Sequence, residues 1–174
     1  DQSVNVWFDD EKSDHRIYFI EELATEFDDF FKSTYIRNIL KCYLGISKPV
    51  GMVLAGRLDY KPNNQGSGGG WHMDSPSSNQ FKAMCYLSDV GDQNGPFQIV
   101  KGSHQTIFAL KALLSRVFSP GQYRFNEADI MKYEAKFNRH VSSVTGEQGS
   151  LALIDTKAIH RGKPIEENSR YVLF

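Results

Sequence analysis

The segment Trp71-His72-Met73-Asp74 places an imidazole and a carboxylate two residues apart, directly after a glycine-rich loop. In a β-strand, residues two apart project from the same face, so His72 and Asp74 are predicted to point the same way. Together they can hold a metal ion from one side only, and a third ligand must come from elsewhere. We take His160 as that ligand. The chain must therefore fold so that distant strands meet at one mouth.

Two histidines and one carboxylate form the facial triad of non-haem Fe(II) oxygenases, which leaves coordination positions open for reactants. The candidate catalytic and metal-ligating residues are therefore His72, Asp74 and His160. Taken singly, each has an ordinary structural explanation, as a surface histidine, a turn cap and a partly buried histidine. Arg170 is interpreted as the anchor for a carboxylate-bearing co-substrate, because guanidinium binds carboxylate in a bidentate manner.

The chain has 174 residues, of which 40% are hydrophobic and 24% charged, as expected for one globular domain. Its net charge of -1 gives no general attraction to nucleic acid or to an anionic membrane, and neither is expected as a partner. The oligomeric state stays open. Cys42 and Cys85 are predicted to be buried free thiols, which favours a reducing compartment and hence the cytoplasm. No signal-peptide pattern opens the chain.

Apolar periodicity divides the chain into a helical part followed by many strands. A hairpin or two edge strands are predicted in residues 4–20, and helices over 21–44, where Ser33 is a candidate cap and Gly45 a candidate stop. A Gly/Asn/Ser loop over 61–70 is a candidate lid. Further helices are expected over residues 105–118, with Ile107, Leu110, Leu113, Leu114 and Val117 on one stripe, and over 126–137, capped by Asn126. Strands are predicted over residues 50–60, 80–90, 97–100, 141–144, 150–154 and 171–174.

This order predicts a mainly β protein with flanking helices, built on a jelly-roll core. We expect a single domain over residues 1–174, with a helical flank at about 21–44. The jelly-roll core is expected at about 49–174 and carries a helical insert at about 105–137.

Several short motifs in a fixed order resemble the phytanoyl-CoA dioxygenase family of Fe(II)/2-oxoglutarate oxygenases, from about residue 50 to the end. They are Trp71-His72-Met73-Asp74, Tyr86-Leu87-Ser88-Asp89-Val90, Asn94-Gly95-Pro96-Phe97, Gly102-Ser103-His104, Gly149-Ser150-Leu151, Ile159-His160-Arg161-Gly162 and Arg170. The resemblance implies a double-stranded β-helix (a cupin-like jelly roll). It also implies Fe(II) on the triad, 2-oxoglutarate on Arg170, and O2 as the oxidant.

One departure from the family matters for the co-substrate. Members often have a hydroxyl residue two places after the second histidine, where it helps to bind 2-oxoglutarate, and this chain has Gly162. Lys82 and Tyr60 are the candidates to replace that contact. Asp74 occupies the place that a small residue takes in related halogenases, so the resemblance implies hydroxylation, or a related desaturation or cyclisation.

A second class of function is compatible with the same fold. A cupin-like, metal-binding jelly roll can be an isomerase or a non-catalytic ligand-binding domain. Such proteins usually bind metal through more histidines and a glutamate, so the sequence favours the oxygenase.

Overall fold

Two antiparallel sheets form the centre of the protein in the computed structural model, which describes residues 5–46, 50–75 and 78–174. The described residues form eleven strands and four α-helices. The predicted class, mainly β with flanking helices on a jelly-roll core, is confirmed. The predicted core boundary at residue 49, and the first residue of the predicted hairpin, lie outside the described residues.

The larger sheet contains the N-terminal hairpin and the last strand. Its strands, in spatial order, are β1 (Asn5–Phe8), β2 (Asp14–Tyr18), β3 (Leu54–Asp59), β11 (Ser169–Leu173), β5 (Phe81–Tyr86) and β9 (Leu151–Asp155). The smaller sheet contains β7 (Arg124–Phe125), β4 (Trp71–His72), β10 (His160–Gly162), β6 (Phe97–Val100) and β8 (Val141–Val144). Strands far apart in sequence are therefore direct neighbours.

The two sheets pack face to face through large apolar side chains. Met84 and Val172 of the larger sheet share one buried cluster with Phe97 of the smaller sheet. In the same cluster Tyr86 is 1% exposed, and its hydroxyl donates to the carbonyl oxygen of Val144 at 2.7 Å and accepts from the amide of Phe97 at 3.1 Å. This tyrosine therefore joins the sheets through hydrogen bonds as well as through apolar burial.

The predicted helical flank consists of a 3-10 turn (Ile20–Glu22), α1 (Thr25–Lys32) and α2 (Thr34–Leu44). Ser33 caps α2 by accepting from the amide of Ile36, and Gly45 ends the helix in the left-handed conformation at φ 70°. Aromatic residues of α1 pack in one cluster with the buried Ile20, Val53 and Leu173, and with partly buried apolar side chains of the larger sheet. The flank therefore covers one side of that sheet.

The helical insert consists of α3 (Thr106–Leu114) and α4 (Glu127–Phe137). Asn126 forms a capping box with Asp129, as its position predicts. The helix predicted over residues 105–118 ends at Leu114, and most of its apolar stripe is not buried, because Ile107, Leu110, Leu113 and Leu114 are all at least 40% exposed. Ala112 and the neighbouring Phe108 make the contact instead. Val117, beyond the end of the helix, does pack against the buried cluster. Since α3 is apolar on nearly every side, its periodicity could not select the buried face.

Two local predictions also need correction, and one short strand was missed. The strand predicted over residues 50–60 begins only at Leu54, and β7 was too short to be recognised from periodicity. The cysteines are free, but Cys42 is exposed on α2 and Cys85 is only half-buried. Apolar neighbours in sequence did not bury Cys42, because it lies on the outer face of an amphipathic helix. No helix among the described residues has the length and apolarity to cross a bilayer.

Candidate metal centre

The two candidate histidine ligands lie side by side across the smaller sheet. His72 in β4 is paired directly with His160 in β10, and the centroids of the two rings are 4.3 Å apart. Phe97 of the next strand stacks on the second imidazole, with centroids 5.3 Å apart. The antiparallel pairing therefore brings together two residues that are far apart in sequence.

Each imidazole is oriented by a carbonyl two residues earlier in the chain. The Nδ1 atom of His72 lies 2.9 Å from the oxygen of Gly70, and that of His160 lies 2.8 Å from the oxygen of Ala158. A carbonyl can only accept, so both Nδ1 atoms carry the proton and donate it. Whenever such a ring is neutral, this leaves its Nε2 atom with the lone pair that a metal ligand requires.

Asp74 completes the cluster from just beyond the end of β4. Its Oδ1 atom lies 3.4 Å from Nε2 of His72 and 3.7 Å from Nε2 of His160. All three potential ligand atoms lie within 4.8 Å of one another. The strand predicted to reach Asp74 ends at His72, and the carboxylate is held because its backbone amide donates to the oxygen of Thr156 at 3.0 Å.

The electrostatics of the cluster favour the charge states that bind a cation. Burial opposes ionisation of Asp74, but its hydrogen bond to His72 and the charge of Lys82 hold the pKa of that carboxyl well below its usual range. Burial, together with the neighbouring His72, lowers the pKa of His160 to about 4. At neutral pH the site therefore presents one carboxylate and a neutral His160.

The two candidates for the missing hydroxyl contact lie in different places. Lys82 in β5 reaches the metal cluster, where its Nζ atom is 2.5 Å from Oδ2 of Asp74. Tyr60 is 51% exposed, just after β3, and the structure does not bring it to the cavity wall. Lys82 lines the same cavity as Arg170, and no hydrogen bond or ion pair among the described residues joins either candidate to Arg170.

A cavity of about 300 Å³ connects the metal cluster with Arg170. Arg170 in β11 is 3% exposed, its Nη1 donates to the oxygen of Gly95, and its Nε has no partner among the described residues. Burial lowers the pKa of this guanidinium. A buried cation with unused donors is costly unless an anion accompanies it, so this end of the cavity suits a carboxylate.

Two residues on the same cavity wall were missed from the sequence. Arg16 of β2 forms an ion pair with buried Asp14 at 2.6 Å, and its Nη2 also donates to the hydroxyl of Ser67 at 3.2 Å. An arginine in a predicted edge hairpin and a serine in a polar loop carry no local signal of a site. Only the pairing of β2 with β3, beside β11, brings Arg16 close to Arg170.

The glycine-rich loop lies directly against the metal cluster. Gly68 adopts φ +87°, and a Cβ at this position would lie 2.2 Å from Cε1 of His72. A Cβ on Gly66 would lie 2.1 Å from the carbonyl oxygen of Gly162. The loop therefore needs glycine here for close approach as well as for backbone conformation.

Comparison with known proteins identifies the relatives of this chain. The model of the family Phytanoyl-CoA dioxygenase (PhyH) matches residues 1–170. The chain belongs to the phytanoyl-CoA dioxygenase family. Among curated proteins, it is similar to ectoine dioxygenase of Halomonas elongata, with 26% identity over 117 residues. That match covers 60% of this chain and 35% of the relative, so the chain spans about a third of the relative's length.

Solved structures of the same fold are more distant in sequence. The non-haem alpha-ketoglutarate-dependent epimerase SnoN from nogalamycin biosynthesis superposes with a TM-score of 0.69 at 12% identity, covering 98% of this chain and 63% of SnoN. HygX from Streptomyces hygroscopicus, solved with nickel, 2-oxoglutarate and hygromycin B, gives a TM-score of 0.61 at 12% identity. That superposition covers 98% of this chain and 71% of HygX. These likenesses establish the fold that the family membership predicts.

Proposed function

We propose that the protein is an Fe(II)- and 2-oxoglutarate-dependent dioxygenase that hydroxylates a small-molecule substrate and releases succinate and CO2. The observation that carries the proposal is the convergence of His72, Asp74 and His160 within 4.8 Å on a cavity that also contains the buried Arg170. Membership of the phytanoyl-CoA dioxygenase family supports the same activity.

The donor set fits iron. Two neutral imidazole nitrogens and one carboxylate oxygen on one side of an ion match the facial triad and leave its other side to reactants. Because the Nδ1 atoms donate to carbonyls, the Nε2 atoms are the ligands that His72 and His160 would offer. Bound iron and 2-oxoglutarate would supply the activation of O2 that hydroxylation requires.

The opposite end of the cavity fits the far carboxylate of 2-oxoglutarate. The unpartnered Nε of Arg170 is a donor without an acceptor, and guanidinium pairs with carboxylate in a fixed, bidentate geometry. At the metal end, Lys82 pairs with Oδ2 of Asp74. This contact would leave Oδ1 of Asp74 directed toward the metal position.

The remaining wall of the cavity is largely apolar and is the proposed substrate side. It is lined by aromatic and aliphatic side chains of the helical flank, of the larger sheet and of the segments next to β3 and β11, namely Phe30, Phe31, Ile36, Leu40, Met52, Phe81 and Phe174. Arg37 adds a cation there, with its guanidinium 5.0 Å from the ring of Phe31. Such a wall would exclude water and orient a small molecule that has an apolar part beside the metal.

The decisive experiment is succinate release from 2-oxoglutarate by the protein supplied with Fe(II) and ascorbate, followed by a substrate screen. We expect succinate above the level of His160→Ala, and a product heavier than its substrate by one oxygen atom. Iron binding without any succinate release, across the screen, would favour the alternative of a cupin-like isomerase or ligand-binding jelly roll.

The second candidate function is an iron- and 2-oxoglutarate-dependent reaction that ends in a product other than a hydroxylated one. SnoN, which shares this fold, is an epimerase, so succinate release alone does not identify the product. Succinate formed together with a product of unchanged mass, or lighter by two hydrogens, would replace hydroxylation by epimerisation, or by desaturation or cyclisation.

We also propose that residues 1–174 work as one domain and act in the cytoplasm. The first proposal is supported by the larger sheet, which joins the N-terminal hairpin to the last strand. The second is supported by two cysteines that are not paired with each other.

A further inference from the structure

The glycine-rich loop enters the anion end of the cavity at Ser67. The backbone amide of Gly162 donates to the backbone carbonyl oxygen of Ser67 at 3.0 Å. A Cβ on Gly162 would lie 2.8 Å from Cβ of Ser67 and 3.2 Å from Nη2 of Arg170. The serine side chain therefore occupies the space that a larger residue at position 162 would fill, and it does so beside the Arg170 guanidinium.

The Ser67 hydroxyl has a proton to donate. Its oxygen accepts from Nη2 of Arg16 at 3.2 Å, and no acceptor for its O–H is found among the hydrogen bonds of the described residues. A hydroxyl can donate and accept at once. Since Ser67 lines the cavity, a ligand there can receive this hydrogen bond.

The charges around Ser67 add up to one uncompensated cation. Asp14 neutralises one of the two guanidinium groups, through its ion pair with Arg16. The other belongs to Arg170, which takes part in none of the ion pairs between described residues. Asp14 and Arg170 are nearly fully buried, so one bound anionic group would balance the cluster.

We infer that Ser67 and Arg16 complete the site of Arg170 for the terminal carboxylate of 2-oxoglutarate, so that the glycine-rich loop itself holds the co-substrate. The inference rests on the proposed function and assigns to the loop the hydroxyl contact that Gly162 cannot make. Gly66 and Gly68, on either side of Ser67, touch β10 and His72. Co-substrate binding would therefore also fix the loop against the metal centre.

The test is the affinity of the Ser67→Ala variant for 2-oxoglutarate. The full chain is loaded with Co(II) without oxygen and titrated calorimetrically with 2-oxoglutarate and, separately, with oxalate. Oxalate can chelate the metal but has no distal carboxylate. We expect Ser67→Ala to weaken 2-oxoglutarate binding about tenfold, as for loss of a hydrogen bond to a charged group, and to leave oxalate within about twofold. Gln65→Ala, an exposed residue of the same loop, is the matched control and should change neither affinity.

The outcomes separate the two proposals. If the unmodified protein binds oxalate but not 2-oxoglutarate, the proposed function itself fails. If it binds both, and Ser67→Ala binds 2-oxoglutarate equally well, only the role of Ser67 is wrong.

A second variant distinguishes the hydrogen bond from packing. Ser67→Gly removes the hydroxyl and the Cβ nearest to position 162, and adding Gly162→Ser returns a hydroxyl from the opposite wall. The new Cβ would still lie 3.0 Å from the backbone nitrogen of residue 67 and 3.2 Å from Nη2 of Arg170, so the oxalate affinity of the double variant is measured as a check on the wall. We expect the double variant to recover most of the 2-oxoglutarate affinity lost in Ser67→Gly. Equal weakness of the two variants toward 2-oxoglutarate, with oxalate affinity unchanged in both, would overturn the hydroxyl contact.

Discussion

At the metal end of the cavity, each histidine is held by a carbonyl two residues before it, whereas at the anion end Arg170 depends on segments from three other parts of the chain. His72 and His160 use the same short-range hydrogen bond, and one strand pairing joins them. Arg170 is accompanied by Gly95, Arg16 and Ser67, from a turn, an edge hairpin and a loop. A local arrangement can be inferred from a motif, but a set of residues gathered by packing cannot.

The largest expected effect is at the metal end. Replacing His160 with Ala removes a ligand whose ring is 5% exposed and already oriented, so affinity for Fe(II) should fall by more than about 100-fold, beyond the loss typical of outer-shell changes. Anaerobic metal titration measures it. His140→Ala, an exposed histidine, should bind normally. Near-normal iron affinity in His160→Ala would remove this triad from consideration.

At the anion end, Arg170→Ala should weaken 2-oxoglutarate binding by a factor of about 30 or more, since losing one partner of a buried charge pair costs about 2–5 kcal/mol. Metal affinity should remain nearly unchanged, because none of the three candidate ligands bonds to Arg170. The two affinities are measured in separate titrations. A fall in metal affinity of similar size would mean that the two ends are one coupled unit.

Two glycines of the loop test how closely it is tied to the metal end. Gly68 and Gly70 share φ +87°, but an added Cβ would meet His72 at Gly68 and nothing within 4 Å at Gly70. Both alanine variants should lose about 1–2 kcal/mol of stability through the left-handed backbone. Only Gly68→Ala should also weaken metal binding, by displacing the His72 ring. Thermal melts measure the stability of both variants, and metal titrations measure their metal affinity. Equal metal affinities would show that the loop moves to accept the new Cβ without displacing the His72 ring.

The smallest effect is expected for Lys82, whose side chain is 39% exposed. Its contact with Asp74 assigns it to the metal end, so Lys82→Met should lower metal affinity by about tenfold at most. The ratio of 2-oxoglutarate affinity to oxalate affinity should not change. If only the ratio of 2-oxoglutarate affinity to oxalate affinity changed, Lys82 would instead contact 2-oxoglutarate, as the family resemblance suggested.

The sequence predicted much of the fold because the relevant signals are local. Ser33, Gly45 and Asn126 mark helix ends through hydrogen bonds and backbone conformations formed within one turn, and each lies where it was expected. The alternation of β5 likewise separates the buried Met84 and Tyr86 from their neighbours. Where the local pattern was ambiguous, as in the nearly all-apolar α3, the prediction of the buried face was wrong.

The chemistry of the candidate site was also determined by residue types, because two histidines and a carboxylate define a ligand set before any fold is known. Only the tertiary structure decided which groups accompany Arg170. Tyr60 remains outside the cavity wall, Lys82 turns to Asp74, and Arg16 and Ser67 arrive through strand order and loop packing. Such long-range proximity depends on how the sheets and the loop pack together. It therefore cannot be predicted from the residues of any one short segment.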